Sequence, residues 1–358
     1  MTDVLILLVK IILALTWTML LALLLTWVER KESAVMQDRI GANRASVFGL
    51  RAFGLFQPFA DAIKMIFKED FKPAFSAGLL HTLAPFVSFF CVAVTVVAVP
   101  FGDAIRLGGR VVTLQVADVN AALLFVLAML GLGIYGILIS GWASNSRFAL
   151  LGSLRGAAQL ISYEVALGLS LVGLIMAFPS LRLSEIVRFQ GGLLFGFLPK
   201  WGIFLQPLGF AVFFLAALAE TKRVPFDLPE GESEIIGFFA EYGGLKWGLF
   251  MMTDFLEVIV VSCLATTLFF GGWQVPWLGS GGFRFPWGGA WAQPPWVVTA
   301  LQVLSFNLKV IFFCWLQVLI RWTYPRFRYD QVMDFGWKFL VPAGAVNILA
   351  TGLILVLK

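Results

Sequence analysis

Six carboxylates, Glu220, Asp227, Glu230, Glu232, Glu234 and Glu241, fall within the 22 residues 220–241. Crowded acids repel one another as they ionise, and partial burial adds to that penalty, so such a group can hold and pass protons near neutral pH. A solvated acidic loop is the other reading of the same composition. Asp254 and Glu257 lie three apart and share one face of a helix, where both can meet the same polar cavity. Glu164 stands inside an apolar run, where an ionisable group costs about 2.5–3.5 kcal/mol and is a functional candidate by default. Lys309, in another apolar run, offers the alternative that Asp254 and Glu257 are neutralised by an ordinary structural ion pair.

Other motifs carry less. Gly131-Leu132-Gly133-Ile134-Tyr135-Gly136 matches a dinucleotide fingerprint in letters only, because it lies within an apolar run rather than between a strand and a water-facing helix. Its glycines read as close-approach positions between packed helices. Cys91, Cys263 and Cys314 are isolated within apolar stretches and read as small buried hydrophobes. The single histidine, His81, has no neighbouring ligand type and reads as an interfacial residue, not a metal site.

The elements that position these groups must lie in lipid. Of the 358 residues 60% are hydrophobic and only 13% charged, and the net charge of +5 is dispersed without a dense basic block, which argues against nucleic-acid binding. Mean hydropathy is +0.90. Crossing about 30 Å of hydrocarbon takes about 20 helical residues, and eight stretches reach that length: 4–28, 79–99, 121–140, 158–178, 201–219, 247–270, 297–320 and 337–357. The first is too long for a signal peptide and lacks a cleavage site, so it reads as a retained span. The connections after the odd-numbered spans, counted through Lys338 at the edge of the last span, carry 17 basic residues and those after the even-numbered ones 6, which predicts both termini outside. In the first inner connection Phe59, Ile63, Ile66 and Phe67 recur at helical spacing, opposite Asp61, Lys64 and Lys68, and predict an interfacial helix over 56–68. The expected fold is an all-α integral membrane protein, with residues 1–358 forming a single polytopic domain of eight transmembrane helices plus that amphipathic helix.

Several stretches carry a family resemblance: Glu29-Arg30-Lys31, Met36-Gln37-Asp38-Arg39-Ile40-Gly41, Gln57-Pro58-Phe59-Ala60-Asp61-Ala62-Ile63-Lys64, Gly141-Trp142-Ala143-Ser144-Asn145-Ser146, Ser162-Tyr163-Glu164, Pro225-Phe226-Asp227-Leu228-Pro229-Glu230 and Arg326-Phe327-Arg328-Tyr329-Asp330-Gln331. In this order and over nearly the whole chain they resemble the H subunit of respiratory complex I, a proton-pumping NADH:quinone oxidoreductase of the bacterial inner membrane. The resemblance implies a protein that helps form the quinone chamber and couples quinone reduction to proton translocation. Quinone is then the substrate, and this chain needs no tightly bound cofactor, since flavin and iron–sulfur clusters belong to partner subunits. Implied partners are the peripheral-arm subunits carrying the terminal cluster, small membrane subunits, antiporter-like subunits and lipid.

Residues matching the chamber and funnel positions are Arg39, Asp61, Glu220, Phe226, Glu230, Glu232, Glu234 and Arg328. Phe59 and Ile63 would admit the quinone, and Glu164, Asp254 and Glu257 would couple protons. The chain departs from the family pattern at Gly41-Ala42-Asn43, which lacks the usual proline, in a longer 44–57 segment, and at Asp254-Phe255, where Glu-Tyr is usual. The membrane anchor of an energy-converting hydrogenase and an independent proton-coupled transporter are the alternatives. The former shares the fold without quinone chemistry, and the latter would be favoured by an inverted repeat that the two halves do not display.

Overall fold

A computed structural model describes residues 2–107, 110–194, 196–279, 281–284, 286 and 288–357. Its helices, in chain order, are α1 (Thr2–Met36), α2 (Gln57–Phe67), α3 (Gly78–Thr95), α4 (Ala122–Ala143), α5 (Arg147–Ala177), α6 (Leu183–Phe189), α7 (Gly202–Leu205), α8 (Pro207–Glu220), α9 (Glu232–Ile235), α10 (Gly244–Phe269), α11 (Pro295–Thr323), α12 (Tyr329–Asp334) and α13 (Val341–Val356). Residues Phe335–Leu340 form a π-helical turn that joins α12 to α13. Among the described residues, seven helices are long and apolar enough to cross a membrane, and Pro207–Glu220 is a shorter apolar one.

The stretch 201–219 is broken for a local reason. Gln206 leaves the helical region at φ −135°, ψ 57°, and Pro207, which has no N–H to donate backwards, starts α8 afresh. At the N-terminus, α1 runs 35 residues without Gly or Pro and ends where Asp38 and Gly41 adopt positive φ. A Cβ on Gly41 would come within 2.7 Å of the Ala34 methyl, so the turn after α1 has room for glycine alone.

At the centre stands α10, 78% buried along its most apolar stretch, with α1, α2, α3, α6, α8 and α11 packed around it. A second tier runs outward through α3, α4 and α5 to α8 and α13. Close approach of α3 and α4 depends on Gly136, where a Cβ would meet the Ala84 carbonyl at 2.8 Å. Gly131, in the same fingerprint-like stretch, instead leaves room for the Glu164 carboxylate, 2.8 Å from where a Cβ would sit. Small antiparallel strands decorate the connections expected outside: β1 (Ile105–Leu107) with β2 (Arg110–Val112), β3 (Leu193–Leu194) with β4 (Leu198–Pro199), and a three-stranded sheet of β5 (Leu278–Gly279), β6 (Gly282–Arg284) and β7 (Ala290–Ala292). The sheet occupies the Gly- and Trp-rich 271–296 connection, whose turn residues carry no strand periodicity to announce it.

Candidate functional site

The connection after α8 folds back against the C-terminal halves of α1 and α11 and the N-terminal half of α10, and there the acids meet their cations. Lys222 lies just past the end of α8, and its ammonium reaches Asp254 at 3.1 Å and Glu257 at 2.7 Å. These two acids share a face because they are three residues apart on α10. Burial alone would lower the Lys222 ammonium, but Glu257 and Asp254 outweigh it and hold it above the usual lysine value. Glu29, near the C-terminal end of α1, is clamped by Arg223 at 2.8 Å and Arg321 at 2.7 Å, and Arg223 also lies 4.2 Å over the Phe255 ring. Arg155 takes Glu234 at 2.7 Å and Arg326 takes Asp227 at 2.6 Å.

Glu230 sits beside this network with a different character. Burial pushes its carboxyl well above the usual range, the charges of Asp254 and Asp227 add to the rise, and a hydrogen bond joins it to Asp254. A hydrogen bond between two carboxyl groups requires a proton on one of them, and the other partner of Asp254 is Lys222. Glu220 feels Glu257, Glu164 and Lys222 electrostatically, so a file of acids runs from Glu230 through Asp254, Glu257 and Glu220 toward Glu164.

Asp227 gives this site a measurable pH signature. Burial raises its carboxyl to about 6 against the pull of Arg326. Its folded value thus exceeds the unfolded one of about 3.9, so its contribution to stability is fully present below about pH 4 and is lost as pH rises through about 6. Asp227→Asn is expected to remove that decline. Thermal inactivation midpoints of the purified protein near pH 4.5 and pH 7 check it: their difference should shrink in the variant, and an unchanged difference would assign the titration elsewhere.

Two cavities lie against α2 and a neighbouring third lies against the acids. The first, about 480 Å³, is walled by Arg30, Asp61, Lys64, Lys68, Tyr242 and Trp247. A narrower one shares Arg30 and Asp61 with it and continues past Met251. The third, about 200 Å³, lies between Glu29, Arg223, Glu230, Asp254, Arg321 and Trp247. Asp61 is fixed on this route by Arg30 at 2.5 Å. On the other side of α2, Phe59 and Ile63 are 49% and 56% exposed.

Not every expected residue joins the cluster. Arg39 bonds locally to Gln37 at 2.7 Å and Ser33 at 3.2 Å, and Arg328 is exposed and pairs with Asp330 at 3.1 Å. Phe226 is buried among Tyr163, Phe327 and Phe335. Glu232 opens α9, and its side chain lies outside the described residues. Lys309 does not pair with the α10 acids: its ammonium caps the far end of α10 by donating to the carbonyls of Phe270, Gly272 and Gln274 at 2.9, 3.0 and 2.7 Å. The interfacial reading of His81 also gives way. It is fully buried, stacked on Tyr242 at 4.0 Å, with Nε2 3.1 Å from the Glu241 carbonyl.

Sequence reasoning alone does not reach the cations Lys222, Arg223 and Arg321 as site residues, nor Glu29. A signal for them exists: buried acids need counter-charges, and Lys222-Arg223 adjoin the acidic stretch. Among the described residues no group of three or more His, Cys, Asp and Glu is arranged to hold a metal ion.

A model of the NADH dehydrogenase family matches residues 9–352. Among curated relatives, an H subunit of the NADH-quinone oxidoreductase of Geobacter metallireducens is 46% identical over 99% of this chain and 98% of its own length. An H subunit of the same enzyme from Geobacter sulfurreducens is 45% identical over 94% and 92%. The H subunit from Thermomicrobium roseum is 44% identical over 92% and 90%.

Proposed function

The chain belongs to the family of NADH-quinone oxidoreductase H subunits, the membrane proteins of complex I, and from that premise we propose that the cavities beneath α2 form the membrane-side part of its quinone chamber. The observation that carries this reading is that three neighbouring cavities, sharing Arg30 and Asp61, Met251, or Trp247 in their walls, end at the buried carboxylates Glu29, Glu230 and Asp254. Converting a quinone to a quinol takes two electrons and two protons. The electrons come from a cluster on a peripheral-arm partner, and the acids of this chain respond to the change in charge. Arg39 and Arg328, which lie apart from the cluster, and Glu232 belong to the part of the chamber that partner subunits complete. Residues 201–219, as α7 and α8 together, supply the eighth crossing, and both termini face outward, as the basic residues favour. In this orientation α2 lies in the inner interface.

Glu230 is the residue through which the chamber and the acids exchange a proton. Glu230→Gln tests it, because an amide can still donate to Asp254 but cannot release a proton. The assembled complex is expected at near wild-type yield, with quinone reduction coupled to proton translocation lowered by at least about tenfold. Both rates would be read together in reconstituted vesicles, normalised to complex. Wild-type rate and stoichiometry would remove Glu230 from the pathway.

A further inference from the structure

A cavity of about 650 Å³, larger than any beneath α2, opens between the outer halves of α1 and α11, far from the acids. Leu5, Val9, Leu13 and Ala14 of α1 face Phe101 and Val303 across it. Trp17 closes its inner end, held by a 2.7 Å bond from Nε1 to Asn307 Oδ1. Within the groove, about one turn inward of Leu5 and Ile6, stands Lys10, the one charged residue between positions 4 and 28. Its ammonium donates to Thr113 Oγ1 at 3.2 Å and to the Gln115 carbonyl at 3.0 Å, both neutral acceptors, which uses two of its three N–H groups.

An apolar cavity of this size is poorly served by water. It is also ill suited to a partner helix, whose close approach needs small residues along the contact, whereas Leu and Val dominate here. The groove is continuous with the lipid-facing side of α1, where Leu8 and Ile12 are exposed. An apolar slot that holds an ammonium with one N–H to spare, beside residues 113–115 of the outer connection, matches a molecule with an acyl chain and an anionic head. We propose that this groove binds an anionic phospholipid from the leaflet on the side of the termini, with one acyl chain between α1 and α11 and the phosphodiester against Lys10 and Thr113.

The test uses the intact complex in vesicles containing phosphatidylglycerol or phosphatidylcholine with the same diazirine-bearing acyl chain. After photolysis, label is mapped to peptides. Peptides carrying Leu5–Ala14 and Val303 are expected to take roughly fivefold more label from phosphatidylglycerol, the ratio one interfacial lysine is worth. The exposed face of α13 should show no preference. Lys10→Gln should bring the groove ratio to about one, and Lys10→Arg should keep it. If Lys10→Gln yields no complex, the wild-type ratio in about 1 M salt replaces it, since exposed charge attraction collapses there. Equal labelling by both lipids in the wild type, a preference that survives Lys10→Gln or salt, or groove peptides left bare while α13 is labelled would each overturn the proposal. The last of these would place a protein partner in the groove.

Discussion

Replacing Lys222 with methionine is expected to destabilise the protein by about 3–5 kcal/mol, the cost of leaving buried charge without its partner. Two carboxylates depend on this one ammonium, Asp254 and Glu257, and the cation is almost fully withdrawn from solvent. The backbone adds a control. Lys222 has φ 54°, in the left-handed region that follows many helix ends and is normally given to glycine. Lys222→Gly therefore relieves the backbone while removing the same charge. If the ion cluster matters most, both variants should lower the yield of assembled complex and its thermal inactivation midpoint. Adding Asp254→Asn and Glu257→Gln to Lys222→Met should recover much of the loss, because no charge is then stranded. A Lys222→Met complex as stable as wild type would mean that the acids find another cation.

The double variant Phe59→Glu, Ile63→Glu is expected to raise the Michaelis constant for a long-tailed quinone by roughly tenfold or more. Both side chains stand on the exposed edge of α2, above the cavities that begin at Arg30 and Asp61. A charge held at an apolar membrane site costs about 2.5–3.5 kcal/mol, of which even half is a tenfold change in binding. A tail that must cross this edge meets that cost, whereas a short water-soluble analogue can reach the chamber by another way. The decisive measurement is the ratio of the two constants in the same vesicles. An equal rise for both substrates would assign the effect to a general disturbance of α2.

The long apolar helices can be read from the chain because a membrane span has only to be apolar and long, and 79–99 or 247–270 satisfy that without reference to any neighbour. Gln206-Pro207 is harder. Hydropathy averages across it, while the backbone breaks there. The acids are visible as acids, and the three-residue spacing of Asp254 and Glu257 correctly puts them on one face. Their cation is another matter. The sequence points to Lys309, a lysine within an apolar run, because it shows which charges are buried but not which helix ends meet. Lys222 reaches them only because α8 stops at Glu220 and the chain turns back over α10. His81 departs from expectation for a similar reason: its position at the start of a helix suggests an interface, but the 220–244 connection covers it.

The length of α1 has a mechanical consequence. At about 1.5 Å per residue its 35 residues make a rod of about 52 Å, well beyond the hydrocarbon thickness, so it must lean or protrude. One end is bolted: Glu29 to Arg223 and Arg321, and Arg30 to Asp61. The other carries many exposed leucines and isoleucines and is held by neutral hydrogen bonds, Lys10 to Thr113 and Gln115 and Trp17 to Asn307. A beam fixed by ion pairs at one end and by neutral hydrogen bonds at the other passes part of any change in bilayer thickness to its ion-paired end, so the thickness of the surrounding membrane becomes one of the forces acting on the Glu29 clamp.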